Sequence, residues 1–275
     1  MRICAVGDNV VDRYLDQGLM YPGGNAVNVA VHARRCGADT GYIGALGDDA
    51  AGKVLADVLR SEDVDTARTR IVPGPNAWAT VRLVDGERVF GSGSVGVSKF
   101  ILTRDDLAYL RRFDLIHTGD CSTIEAQLPA LAAAGPVSYD FSDRPRSYAE
   151  PLLPHVTLAT FSAGGSSDAE VAELAGWAHS LGPGRVVITR GSAGAALYDG
   201  TRMYHERAVP VPVIDTLGAG DAFIARVCVE LLAGTDPQRT LAAACAYAMQ
   251  TCQSVGAFGY PSPDPAALGA APGHD

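Results

Sequence analysis

A chain of 275 residues can bury one large core or two small ones, burial improving with size up to roughly 250 to 300 residues, so one main domain with a small appendage is expected. The formal charge of −9 argues against a nucleic-acid or anionic-membrane surface, and a phosphate ligand would need local positive potential. Six cysteines without a C-x-x-C pair and six histidines without H-x-x-x-H or H-E-x-x-H spacing offer no basis for a structural zinc site, and the thiols read as reduced and buried.

Arg2 to Val6 reads as a buried strand. Charge enters too early here for a signal peptide and no run reaches the length of a membrane span, so a cytoplasmic protein is expected. The strand exits into Gly7-Asp8-Asn9-Val10-Val11-Asp12. Ligands gather at the carboxyl ends of strands in open α/β sheets, which puts Asp8, Asn9 and Asp12 where carboxylates could meet sugar hydroxyls. A turn using Asp and Asn for local backbone bonds is the competing reading. Gly23-Gly24-Asn25-Ala26-Val27-Asn28 then leads into an apolar helix, Val29 to Cys36, that stops at Gly37. Paired glycines admit close approach to the backbone, and Asn25 and Asn28 lie i, i+3 on one helix face. An ordinary turn and cap would use the same residues.

A strand at Tyr42 leads through Gly47-Asp48-Asp49 to a helix, Ala51 to Ser61. From Thr69 to Lys99 the pattern turns to short β runs. Ala79 to Val84 and Glu87 to Gly91 are joined by Asp85-Gly86, a two-residue hairpin signal, and the glycine-rich stretch Gly91 to Gly96 would lend mobility. Arg88 is either a substrate contact or a solvated hairpin arginine. Thr103 to Asp106 carries a helix-start pattern, Leu115 to Thr118 is a strand, Glu125 to Ala134 a helix and Val137 to Asp140 another strand. His117 reads as a satisfied core residue. Asp140 and Arg144 stand at a strand exit, either touching substrate or phosphate or closing a loop salt bridge. A helix from Asp168 to Leu181, a strand from Arg185 to Thr189 and a hairpin from Ala195 to Arg207 follow. The alternation from end to end predicts an α/β fold with a mainly parallel sheet.

Asp215-Thr216-Leu217-Gly218-Ala219-Gly220-Asp221 comes next, after an extended run, Val209 to Ile214, and before an apolar helical run, Ala222 to Ala233. Gly218, Ala219 and Gly220 leave backbone N–H groups unobstructed beside a helix start, a cradle for an anion. Asp221 could take the proton of a hydroxyl approaching that anion. A base beside an anion cradle suggests phosphoryl transfer to an alcohol. Asp236-Pro237 opens a last helix to about Ser254, and residues 261–275 read as a mobile tail.

Two of these motifs resemble the signatures of the PfkB, ribokinase-like carbohydrate kinases: Asp-Thr-x-Gly-Ala-Gly-Asp-x-Phe at Asp215 to Phe223, and the Gly-Gly-x-x-x-Asn segment ending at Asn28. The resemblance runs from about residue 3 to residue 259. It implies a ribokinase-like three-layer sandwich with a mainly parallel central sheet over residues 1–260, and a small β lid from about 13–22 and 72–99. It further implies ATP with Mg2+, a small sugar substrate, and a homodimer formed through the lid. A monovalent cation such as K+ near Asp215 stays open. Asp8, Asp12, Gly23, Gly24, Asn25, Asn28, Arg88 and Asp140 would contact the sugar. Asp221 would be the base, with Gly218, Ala219 and Gly220 as the cradle, and Thr189, Gly191 and Gly194 would join Gly218 and Gly220 in holding ATP. The Asn-x-x-Glu of many members is missing at Phe161 to Gly165, so no protein ligand for the metal is named. Gly-Asp-Asn-Val-Val-Asp, Arg-Val-Phe-Gly and Asp-Phe-Ser-Asp look most like the fructoselysine 6-kinases, which implies the 6-hydroxyl of fructoselysine or another fructosamine as acceptor. The alternatives are a related kinase for fructose, 2-keto-3-deoxygluconate, ribose or a nucleoside, or a non-catalytic sensor on the same fold. An NAD-dependent enzyme is contradicted by the lack of G-x-G-x-x-G after the first strand.

Overall fold

A computed structural model describes residues 1–84 and 87–268. The chain opens with β1 (Arg2–Val6), the hairpin β2 (Val10–Tyr14) and β3 (Leu19–Gly23), helix α1 (Asn25–Arg35) and β4 (Asp39–Ile43). Short β5 (Ala45–Gly47), α2 (Ala50–Ser61) and β6 (Arg70–Val72) lead to β7 (Trp78–Val84) and β8 (Glu87–Ser94). Helix–strand units follow: α3 (Arg104–Leu110) with β9 (Leu115–Gly119), α4 (Leu128–Ala134) with β10 (Val137–Asp140), α5 (Arg146–Ala149) with β11 (Leu158–Ser162), and α6 (Asp168–Ser180) with β12 (Arg185–Thr189). The last part holds β13 (Ala195–Tyr198), β14 (Met203–Glu206), α7 (Ala219–Leu232), α8 (Pro237–Thr251), β15 (Ser262–Pro263) and α9 (Pro265–Leu268).

Eight strands form the central sheet in the order β14-β13-β12-β11-β10-β9-β1-β4, parallel from β4 to β12 and antiparallel at β13 and β14. Neighbouring residues along a strand face opposite sides. Cys4, Ile116, Val186 and Ile188 pack with α3, α4 and α6, whereas Ile3, Leu115 and Val187 pack with α1, α7 and α8. Both faces are apolar because both are covered, which is why these strands carry nearly continuous hydrophobic runs. The result is the expected three-layer sandwich.

Several helix starts are written locally. Thr103 and Asp106 form a capping box for α3, Ser167 and Glu170 one for α6, and Asp236 caps α8 ahead of Pro237. Two starts come earlier than the sequence pattern suggests. Helix α1 begins at Asn25 because Asp8, distant in sequence, accepts from its first N–H groups. Helix α7 begins at Ala219, so Gly220 and Asp221 lie in its first turn instead of ahead of it.

A second sheet, β15-β3-β2-β7-β8, stands beside the first. It includes Val10 to Tyr14 and Leu19 to Gly23, a somewhat larger share of the N-terminal hairpin than expected, and the Asp85-Gly86 turn lies outside the described residues. Gly91 to Ser94, read as a mobile stretch, belong to β8. Their glycines have a packing reason: a Cβ on Gly91 would sit 2.5 Å from Thr80 Oγ1 and one on Gly93 2.9 Å from the Trp78 carbonyl. Residues 261–268 likewise depart from the mobile-tail reading. Ser262 and Pro263 pair with Met20 and Leu19, and buried Asp264 accepts from Ala266 N at the start of α9 and lies 3.7 Å from Arg13.

Candidate active site

The carboxyl ends of β1, β9 and β10 converge with the N-termini of α1 and α7. Gly24 carries a φ of 104°, and a Cβ there would lie 2.7 Å from Asn9 Cα, so only glycine lets the chain turn from β3 into α1 at this spot. Asp8 then does the work of a cap from outside the helix. It accepts from Asn25 N at 2.8 Å, from Ala26 N at 3.2 Å and from Ser122 Oγ at 3.0 Å. Asn9 is also structural, its amide donating to Tyr42 Oη and the Ala45 carbonyl. Both residues were candidates for the sugar, and both side chains bond to protein groups around the start of α1 and β5. Asp12, buried on β2, lies against Gly23, where a Cβ would come within 2.5 Å of its Oδ2.

Asp221 stands at the third position of α7, where the helix dipole favours an anion. Its Oδ1 accepts from Asn25 Nδ2 at 2.7 Å and its Oδ2 from Asn28 Nδ2 at 2.6 Å. Asn25 and Asn28, one helical turn apart on α1, thus grip one carboxylate between them. The same Asn25 Nδ2 donates to Asp140 Oδ2 at 3.0 Å, and Asp140 Oδ1 accepts from Ser142 N. Burial pushes the Asp221 carboxyl up to about 7 against the two amide donors, with Asp8 and Asp12 adding to the rise. Burial, followed by the charge of Asp221, pushes Asp140 up to about 7 as well. A carboxylate poised near neutral pH, within reach of a helix N-terminus, is chemically a proton acceptor.

Three residues near this centre carried no functional reading in the sequence. His117 is fully buried on β9, as expected of a core residue, yet its Nε2 meets Asn25 Oδ1 at 3.2 Å. Asp120 holds Arg144 at 2.7 Å, the salt-bridge alternative for that arginine. Tyr14, two residues beyond Asp12 on β2, donates to Asp215 Oδ2 at 2.5 Å. Asp215 also accepts from Leu217 N and Gly256 N, so it pins the turn that precedes α7. Their position near strand ends was a signal for the first two. Nothing local pointed to Tyr14.

On the other side of the α7 start lies a cavity of about 290 Å3, lined among others by Thr189, Gly191, Gly194, Gly220, Phe223 and Ala248. Four of these six are residues predicted for ATP or the cradle. Gly220 is exposed and would admit a Cβ freely, leaving its N–H open to a ligand. Gly218 has another role: at φ 71° it caps α7, and a Cβ there would meet Ala257 Cβ at 2.5 Å. It does not line the cavity. Arg88 sits on β8, but its side chain lies outside those described.

The profile of pfkB family carbohydrate kinases matches residues 4–264. The chain belongs to the pfkB family of carbohydrate kinases. Among curated pfkB relatives, the fructosamine kinase FrlD of Bacillus subtilis is 42% identical over 96% of this chain and 95% of its own length. The fructoselysine 6-kinase of Escherichia coli is 36% identical over 93% of this chain and 99% of its own. The ribokinase of Arabidopsis thaliana complexed with ribose and ATP superposes with a TM-score of 0.81 at 23% identity, covering 98% of this chain and 97% of its own, which establishes the ribokinase-like fold. As a pfkB enzyme the chain is an ATP-dependent carbohydrate kinase. No helix among the described residues is long and apolar enough to cross a membrane.

Proposed function

We propose that this kinase phosphorylates a fructosamine, transferring the γ-phosphate of ATP to the 6-hydroxyl of fructoselysine or a related Amadori compound, with Asp221 as base. The observation that carries the mechanism is Asp221 itself, gripped at both oxygens by Asn25 and Asn28 and raised to about 7 beside an open helix start. On this reading the acceptor hydroxyl lies against Asp221 while Asp12, Asn28 and Asp140 orient the sugar. Its oxygen bonds to the γ-phosphorus, the bond from that phosphorus to the β–γ bridging oxygen breaks, and ADP leaves. The hydroxyl proton passes to Asp221. N–H groups of the first turn of α7 stabilise the charge on the transferring oxygens.

The substrate choice is supported by the relatives named fructosamine kinase and fructoselysine 6-kinase. An amine-bearing sugar is a cation, and the pocket has a matching excess of acid: Asp8, Asp12, Asp140 and Asp221, with Asp120 already neutralised by Arg144. Magnesium enters as the ion carried on the ATP phosphates. Among the described residues no three His, Cys, Asp or Glu side chains are grouped to hold an ion. A cation such as K+ at Asp215 would have to share a carboxylate that already accepts three hydrogen bonds. The six free thiols support a cytoplasmic setting, and the exposed Val89 and Phe90 on edge strand β8, with exposed Val95 just after it, support pairing with a second copy.

The test is ADP release with Mg-ATP against fructoselysine, fructose, ribose, 2-keto-3-deoxygluconate and adenosine. Preference for fructoselysine supports the reading, and preference for another acceptor discards the substrate while keeping the base.

A further inference from the structure

Asn25 has one side-chain oxygen and one NH2 group, and the site makes opposite demands on them. Its Nδ2 faces two carboxylates, Asp140 at 3.0 Å and Asp221 at 2.7 Å, one for each of its hydrogens. Turned over, the amide would set its oxygen against both carboxylates. Its Oδ1 has no hydrogen, so its partner at 3.2 Å, His117 Nε2, must donate. That settles the tautomer: His117 carries its proton on Nε2, and Nδ1 accepts from Ser138 Oγ at 3.2 Å. The Ser138 oxygen in turn receives the Cys228 thiol at 3.6 Å. All the donors therefore point one way, from Cys228 in the core through Ser138, His117 and Asn25 to the two acids.

We propose that His117 is a positioning residue for phosphoryl transfer: its Nε2–H holds the Asn25 amide in the one orientation that presents both of its hydrogens to Asp140 and Asp221. This rests on the reading of Asp221 as base. Complete burial keeps the imidazole neutral, pushing it down to about 3, so it retains a single N–H throughout the working range and cannot turn into a donor on both sides. Without that N–H nothing distinguishes the two amide orientations from the β9 side. An inverted Asn25 would repel the ionised form of Asp221 and raise its pKa further. The groups facing Asp221 are Asn25 and Asn28 of α1, Asp8 after β1, Asp12 on β2, Cys121 beyond β9 and Asp140 at the end of β10. With Arg144 committed to Asp120, the amides of Asn25 and Asn28 are the donors seen on the carboxylate oxygens of Asp221.

The experiment compares pH profiles of kcat/KM for the sugar in His117→Phe, His117→Gln and the unsubstituted enzyme. Glutamine can accept from Ser138 and donate to Asn25, so it is expected to keep the acid limb in place. Phenylalanine is expected to move that limb up by about one pH unit and lower kcat about a hundredfold, with KM for ATP unchanged. A His117→Phe limb that stays put overturns the proposal. Should the phenylalanine variant not fold, 15N shifts of the His117 ring in the unsubstituted protein decide: an Nε2–H imidazole that does not titrate above pH 5 supports the assignment, and an Nδ1–H tautomer overturns it. An active Asp221→Asn variant would instead sink the base reading, so the two failures are distinguishable.

Discussion

On one side of the α7 start, Asp221, Asp140, Asn25, Asn28 and His117 are joined by directional bonds of 2.6 to 3.2 Å. On the other side, Phe223, Cys245, Ala248 and Met249 shape a cavity of about 290 Å3 whose polar side chains are the hydroxyls of Thr189, Ser192 and Thr216. Only the first turn of α7 belongs to both. One side is held by bonds whose loss changes protonation and orientation, so it should respond in kcat and in pH. The other is held by space, so it should respond in the affinity for ATP.

The largest effect should come from Asp221→Asn. Turnover is expected to fall by about a thousandfold or more, the upper part of the range for a positioned base, measured as ADP release. The same variant should be more stable than its parent at pH 8. The sign follows from the raised carboxyl: a folded-state value of about 7 means that the folded protein binds the proton more tightly than the unfolded chain. That contribution is fully present below about pH 4, the unfolded value, and is lost as pH rises through 7. Removing the charge should return roughly 1–3 kcal/mol at pH 8, read from denaturant midpoints, whereas equal stability across pH 4 to 8 would contradict the raised value.

Ala248→Leu probes the other side. Filling the cavity should raise KM for ATP about tenfold while leaving the acid limb and the sugar KM in place. A changed pH profile in this variant would erase the distinction between the two sides. Tyr14→Phe tests the link behind them, since its hydroxyl ties β2 to Asp215 and so to the turn before α7. Loss of one buried bond to a carboxylate should cost about 2 kcal/mol in unfolding free energy. A modest loss in kcat should accompany it, because Leu217 N and Gly256 N still hold Asp215.

Much of this protein was legible in one dimension. The alternation of strand and helix, the Asp236-Pro237 start and the helix-start pattern at Thr103 to Asp106 depend on neighbours within four residues, and the starts at Thr103 and Asp236 appear where the pattern puts them. Asp221 with its glycines, and Asn25 with Asn28, stood out through the two motifs that resemble the PfkB signatures, and the structure brings Asp221, Asn25 and Asn28 together. The early start of α1 could not, because its cap, Asp8, sits 17 residues upstream of Asn25. Asp8 and Asn9 were read as sugar contacts since a strand end exposes such residues in general, and their partners at Ser122, Tyr42 and Ala45 are far along the chain.

The sequence by itself determined the layers, the parallel sheet, the helix that carries Asp221 and the small residues that line the cavity beside it. These follow from backbone preference and hydrophobic period, which are local. Only the tertiary structure decided which acids are ready to take a proton and which amide holds them. A pKa near neutrality needs burial and nearby charge, and Asp221, Asp140, Asn25 and His117 come from α7, β10, α1 and β9, which meet only when the sheet is assembled.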